Sequence, residues 1–205
     1  MSSAYFHHLF GATAREFQMR AGSRASYARR EAASDDARDA LSERELAFLG
    51  ARDSVYLASV TAEGWPYVQH RGGPAGFIRS LGENRIGFAD YPGNRQFISL
   101  GNVMEHGRVA LLAMDYAARR RLKLIGHARM VTAADNPALV ERASHPAAPG
   151  TGAAFAVDVV GFDWNCPQYI EQRFTRAEID AELQPLLAEN ARLRAEMTRH
   201  RGVVA

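Results

Sequence analysis

Cys166 is the only cysteine in the sequence, which excludes an intramolecular disulfide and a cysteine-built zinc cage. Lysine is equally scarce: Lys123 stands alone, and arginine carries nearly all of the positive charge. Neither sign of charge is in large excess, and a formal net charge of +2 is too small to argue for general nucleic-acid binding. No apolar run approaches the roughly 20 residues needed to span a bilayer. The start, Met1 to His8, has no basic segment followed by an apolar signal core. These absences predict a cytoplasmic protein with neither a membrane nor a nucleic acid as partner. The phosphate-loop, dinucleotide-fingerprint, HExxH and GxSxG patterns are missing too.

What is present fits one sizeable core with additions at its ends: 205 residues, 47% hydrophobic and 23% charged. Residues 1–41 are rich in Ala and Arg, with aromatics at Tyr5, Phe6, Phe10, Phe17 and Tyr27, and predict helices that wrap the core. A main domain is expected over 42–173 and a C-terminal helix over 174–205. Ser42-Glu43-Arg44-Glu45 has the form of a capping box. Apolar runs broken by polar turns predict strands at 55–60, 65–70, 76–81, 85–89, 109–114, 121–131 and 154–160, with a helix over 96–103. The fold class is mainly β with flanking helices (α+β), an antiparallel barrel.

The terminal helix, expected over about 176–201, carries Ile179, Leu183, Leu186, Leu193 and Met197, with Asn190 at the remaining seam position. This pattern fits either an amphipathic helix packed on its own subunit or a two-stranded coiled coil with a register-setting asparagine. Pro185 predicts a break.

Three polar elements interrupt the strands. Gln69-His70-Arg71-Gly72-Gly73 reads as a strand end gripping a ring and a phosphate, or as a solvated Gly-Gly turn. Asp90 to Gln96 reads as an anion site in which Asn94 caps the following helix and Arg95 lies beside free N–H groups, or as a loop capped for stability. Arg121 and Lys123 share a strand face away from Arg120; they read as phosphate-binding cations or as a basic edge that deters aggregation. In Trp164-Asn165-Cys166-Pro167-Gln168-Tyr169 no His or Asp is placed by sequence to activate the thiol, and an aromatic patch covering a ligand or partner fits better.

In the order PYVQHRGG, then IGFADYPGNRQ and a helix, then RVALLAMDYAARRRLKLIGHARMV, residues 42–132 resemble the pyridoxamine 5′-phosphate oxidase superfamily of FMN-binding split barrels. FDWNCPQYI is similar to a subgroup described as FMN-binding or oxidase-related. The resemblance implies a six-stranded split barrel and a homodimer with FMN at the subunit interface. It implies cofactor contacts from Gln69, His70, Arg71 and Gly72, from Ala89 and Asp90, and from Asn94, Arg95 and Gln96. That last trio stands where the family has a Ser-Arg-Lys phosphate clamp. Arg121, with Lys123 on its face, stands where a family glutamine reaches the flavin edge, and Trp164 to Tyr169 would line the neighbouring site. The implied function is an FMN-dependent oxidoreductase in which flavin N5 carries hydride to or from a small-molecule substrate or electron donor. His70 and Tyr169 are the candidate acid or base groups. The alternatives are a non-catalytic carrier or sensor of FMN, haem or another flat ligand, and a basic barrel contacting nucleic acid. The C-terminal stretch differs from the Arg- and Pro-containing segment that holds substrate in the true oxidase, so a related activity is expected rather than pyridoxamine phosphate oxidation.

Overall fold

A computed structural model of the chain describes residues 4–32, 38–164 and 167–202; Asn165 and Cys166 lie outside the described residues. Contacts divide the chain into two compact units, one of Met1–Asp115 and Arg120–Pro167, the other of Tyr116–Arg119 and Gln168–Ala205. The first holds a single antiparallel sheet. Its strands are β1 (Ser54–Val60), β2 (Pro66–Gly72), β3 (Arg79–Gly82), β4 (Arg85–Ala89), β5 (Arg108–Asp115), β6 (Arg120–Thr132) and β7 (Ala153–Trp164). They lie in the order β2-β1-β5-β6-β7-β4-β3.

The six-stranded expectation is corrected to seven. The additional strand, β3, is four residues at the sheet edge, joined to β4 by Glu83 and Asn84 at φ 50° and 61°. Two consecutive positive φ values match a tight hairpin to the strand twist. Asn84 then anchors the turn, donating from Nδ2 to the carbonyls of Asp39 and Val159 at 2.9 and 2.8 Å.

Alternation builds the core. Val55 and Leu57 of β1, Ile86 and Phe88 of β4, Leu122 and Leu124 of β6 and Phe155 and Val157 of β7 join one buried cluster. Residues from β1 and β4, separated in the sheet by three strands, can share a cluster only because the sheet curls on itself. Helix α4 (Glu43–Gly50) closes this core with Phe48 and Leu49. Its capping box forms: Glu45 accepts the Ser42 N–H at 3.1 Å, and Ser42 Oγ accepts the Arg44 N–H at 3.3 Å. Glu45 also accepts Trp164 Nε1–H at 2.7 Å. Burial works to raise the Glu45 pKa, but these hydrogen bonds outweigh it and leave the carboxyl below its ordinary value.

Helices α1 (Ala4–Leu9), α2 (Ala12–Arg20) and α3 (Arg24–Glu31) precede the sheet. Buried Asp39 holds α1 to it, accepting the N–H groups of Ala4, Tyr5 and Phe162 at 3.0, 3.1 and 3.1 Å. Helix α5 (Ile98–Glu105) links β4 to β5, and α6 (Pro137–Ala143) links β6 to β7 behind an Asn136 cap. The sheet's outer side carries a cross-strand ion triad in which Asp158 meets Arg85 Nε and Arg129 Nη1, each at 2.6 Å. Burial of Asp158 opposes ionisation, yet the two arginines prevail and its pKa falls below the ordinary value. A carboxylate depressed in this way stabilises the fold fully above the unfolded aspartate pKa of about 3.9 and loses that contribution as pH falls through the folded value. Asp158→Asn should therefore lower the urea midpoint at pH 7, and its deficit against the native chain should shrink below about pH 4. A deficit that stays constant with pH would refute this linkage.

In the second unit, Thr175 and Glu178 form a capping box that the sequence reading missed. Glu178 accepts the Thr175 N–H at 2.7 Å, and Thr175 Oγ1 accepts the Glu178 N–H at 3.2 Å. They start α7 (Arg176–Gly202), which runs through Pro185 without the expected break. The flanking Ala, Leu, Glu and Gln residues are strong helix formers that offset one missing N–H.

Candidate functional site

Strand alternation sorts the residues of β2. Tyr67, Gln69 and Arg71 turn inward and are half-buried, whereas Val68 and His70 turn to the outer face. The inward pair Gln69 and Arg71 opens onto a cavity of about 440 Å³ whose other walls are the 90–100 segment, Thr151 and Phe155. That volume lies within the roughly 300–1,000 Å³ usual for small-molecule sites. The Tyr67 hydroxyl donates to Gln69 Oε1 and fixes that side chain. The Arg71 guanidinium carbon lies 4.9 Å from the Phe155 ring centroid, and its ion pair to Asp90 is long at 3.8 Å. Burial pushes the Arg71 pKa down, against the opposing pull of Asp90 and Tyr67.

The far wall is built by the end of β4 and the loop leading into α5. Ala89 pairs with Ala154, and Asp90 exchanges backbone bonds with the last loop: its N–H donates to the Ala153 carbonyl at 2.8 Å and its carbonyl accepts from Thr151 N–H at 2.9 Å. Asn94 does not cap α5, contrary to expectation. Its Oδ1 accepts the Gln96 N–H at 3.2 Å within the loop, and the cap position is Phe97 at φ 55°, with no side-chain cap bond. The helix therefore begins at Ile98 and not at Gln96. Arg95 is left-handed as well, at φ 59°. Two non-glycine residues held in this region cost of order 1–3 kcal/mol each, and such strain gathers at ligand sites.

Among the described residues, three that line the cavity hold a buried polar atom without a partner: Arg71 at Nε, Tyr91 at Oη and Ser99 at Oγ. Burial without a partner also raises the Tyr91 pKa. A buried polar group left unmet costs about 1–3 kcal/mol.

Of the residues singled out from sequence, Gln69, Arg71, Asp90, Asn94, Arg95 and Gln96 line this one cavity. The others lie elsewhere. His70 stacks edge-on against Tyr56 on the outer sheet face, their centroids 5.7 Å apart. Gly72 packs beside the His70 ring, and Ala89 is buried beneath the cavity wall. Arg121 and Lys123 also face outward, where Lys123 Nζ pairs with Asp163 at 2.7 Å and lies 5.3 Å from the Tyr5 ring centroid. Trp164 packs on α4, 4.8 Å from Phe48 between ring centroids. Tyr169 belongs to the second unit and is 95% exposed. The reading from sequence missed Tyr91, Ser99, Thr151 and Phe155 as cavity residues. The first two sit within or beside the polar 90–96 element, but Thr151 and Phe155 arrive only through the β4–β7 pairing.

The chain is thus a β domain: a curled antiparallel sheet with a strained, arginine-bearing loop over a cavity of small-molecule size. The family model described as pyridoxamine 5′-phosphate oxidase matches residues 41–160, more than half of the chain. The chain belongs to that family, and with it to a flavin-binding group of proteins. No curated protein matches it. Among solved structures, HupZ of Group A Streptococcus is similar at 15% identity and a TM-score of 0.47, over 65% of this chain and 100% of that one. A pyridoxamine 5′-phosphate oxidase-related, FMN-binding protein of Nostoc punctiforme is similar at 15% identity and a TM-score of 0.41, over 59% and 76%. General Stress Protein 26 of Bacillus anthracis is similar at 10% identity and a TM-score of 0.44, over 58% and 88%. Among the described residues, no helix is long and apolar enough to cross a membrane.

Proposed function

We propose that this chain binds FMN in the cavity between β2, the 90–100 segment and β7, and acts as an FMN-dependent oxidoreductase on a small molecule. The observation that carries this reading is that Arg71, Tyr91 and Ser99, each holding a buried polar atom with no partner, line one cavity. Such a set fits a ligand rich in oxygen and nitrogen that meets all three. Arg95, on the strained loop at the start of α5, supplies the planar, permanent cation that a phosphate takes best. Asp90 supplies acceptors for hydroxyl groups, and Phe155 supplies an apolar wall. The flavin, when bound, supplies the hydride and electron chemistry; the chain's own residues bind it, orient it and keep water from its buried side. Residues 42–173 serve as the cofactor-binding domain between the 1–41 and 174–205 segments.

The partner this reading assigns is a second copy of the chain, with FMN at the interface. Tyr56, Val60 and Val68 support it: they share the outer face of β1 and β2 and are 39%, 39% and 60% exposed. His70, Arg121 and Lys123 lie on that same side, so residues outside one chain's cavity serve the other's.

One observation favours the carrier alternative. Neither candidate acid or base lines the cavity, since His70 faces outward and Tyr169 is exposed. Anaerobic titration separates the two: reduction of bound flavin by NADH or NADPH and reoxidation by an added acceptor support the oxidoreductase, whereas a flavin inert to both supports the carrier. For the phosphate site, Arg95→Ala is expected to weaken FMN binding about 10- to 100-fold, the range for losing a charged hydrogen bond, while changing riboflavin binding little. Equal losses for both ligands would remove Arg95 from the phosphate.

A further inference from the structure

The seam of α7 is uncovered in the single chain. Ile179, Leu183, Leu186, Leu193 and Met197 are 43%, 43%, 66%, 46% and 58% exposed. With Asn190 they recur at steps of four and three along a 27-residue helix, about 40 Å long at 1.5 Å per residue. A monomer gains nothing from holding this stripe in water, and a seam one or two residues wide is too narrow for a membrane surface or a broad groove. It fits one similar helix.

The charges beside the seam say which helix, and which way it runs. Taking Leu183, Asn190 and Met197 as heptad positions a, and Ile179, Leu186 and Leu193 as d, the g positions are Glu182, Glu189 and Glu196. The e positions that answer the first two are Leu187 and Arg194. In a parallel pair each g residue faces the partner's e residue five positions on. Glu189 then meets the partner's Arg194, while Glu182 covers the partner's Leu187. In an antiparallel pair g faces g and e faces e, so glutamate would oppose glutamate along the whole seam. Asn190 at an a position pairs with its own copy only when the helices are parallel and in register. Pro185 falls at an outer c position, so its missing N–H does not interrupt the seam. Glu189 also bonds Arg192 at 2.7 Å within its own helix. Because such exposed pairs contribute little energy, the charges set direction while the leucines supply the affinity.

We propose that α7 pairs with α7 of a second copy of this chain as a parallel, in-register, two-stranded coiled coil. The proposal is independent of flavin binding, and of whether the sheets also dimerise. Its test uses the full chain carrying Cys166→Ser, with Ile179→Cys or Met197→Cys added at opposite ends of the seam. Arg192→Cys, at an outer position, is the control. Under a glutathione redox buffer, each seam variant should form an intermolecular disulfide with itself at least tenfold more than the control. Adding Leu186→Asp with Leu193→Asp should abolish that cross-link while leaving the far-ultraviolet spectrum of the sheet unchanged. Cross-linking no greater than the control overturns the proposal. Cross-linking found only between mixed Ile179→Cys and Met197→Cys chains overturns it too, because that is the antiparallel result. Flavin absorbance of the same samples reports cofactor binding separately, so failure of one reading is visible without failure of the other.

Discussion

Arg71→Met is expected to lower FMN affinity by about 10- to 100-fold while leaving the stability of the cofactor-free protein within about 1 kcal/mol of the native value. The two halves of this result have one cause. Arg71 is half-buried, its ion pair with Asp90 is stretched to 3.8 Å, and its Nε has no partner. A charge desolvated for so little return contributes almost nothing to folding, and methionine of similar length can keep the contact over Phe155. An anionic or hydrogen-bonding ligand recovers that desolvation, so the loss falls on binding. Fluorescence titration with FMN and thermal unfolding of the cofactor-free protein measure the two quantities. An unchanged FMN affinity would remove Arg71 from the site. A large fall in stability without cofactor would make it a structural residue.

Gly126→Val is expected to cost about 3–5 kcal/mol, a large part of the 5–15 kcal/mol that holds most domains together, and to lower the thermal midpoint by about 10 °C or more. A Cβ at this position would sit 2.5 Å from the Asp158 carbonyl oxygen and 3.1 Å from Val157 Cγ1. The first of these is backbone of the neighbouring strand and cannot rotate away. Gly126 lies where the β6–β7 register shifts, between Ile125 and Gly126, and the bulge there lets one continuous strand pair on both sides of a bend. Gly101 in α5 makes the control: nothing lies within 4 Å of its Cβ position, so Gly101→Ala should be neutral or stabilising by up to about 1 kcal/mol. Comparable losses from both variants would show that the β6–β7 approach is not what makes Gly126 sensitive.

That bend also explains why the last strand is longer than its apolar run predicts. The run stops at Val160, and Gly161 followed by Asp163 looks like a strand end. In the fold, Gly161 to Trp164 continue to pair with Leu122 to Ile125 beyond the bulge, carrying Trp164 to Glu45 and Phe48. The apolar runs themselves placed β1, β4, β5 and β6 to within a residue or so. The seventh strand was legible as the apolar segment 76–81, whose end pairs at the sheet edge as Arg79–Gly82; the count of six came from the family resemblance, not from the residues. The 90–98 loop shows a limit. An asparagine just before a helix is a good cap by composition, yet here the chain reverses through left-handed Arg95 and Phe97, and such a conformation leaves no mark in residue type.

By itself the sequence determined most of the strands, the capping box at Ser42, the polar strand end at 69–73, the polar loop at 90–96, and the family. Each of these depends on residues close together in the chain or on the order of short motifs. Only the tertiary structure decided which polar residues act together. Neighbours in a strand point to opposite faces, so Gln69 and Arg71 reach the cavity while His70, between them, cannot. Pairing of β4 with β7 brings Thr151 and Phe155 to Asp90 from far along the chain. Residue type alone does not reveal that Arg71 Nε, Tyr91 Oη and Ser99 Oγ go unmet, because a missing partner is a property of the whole packed fold.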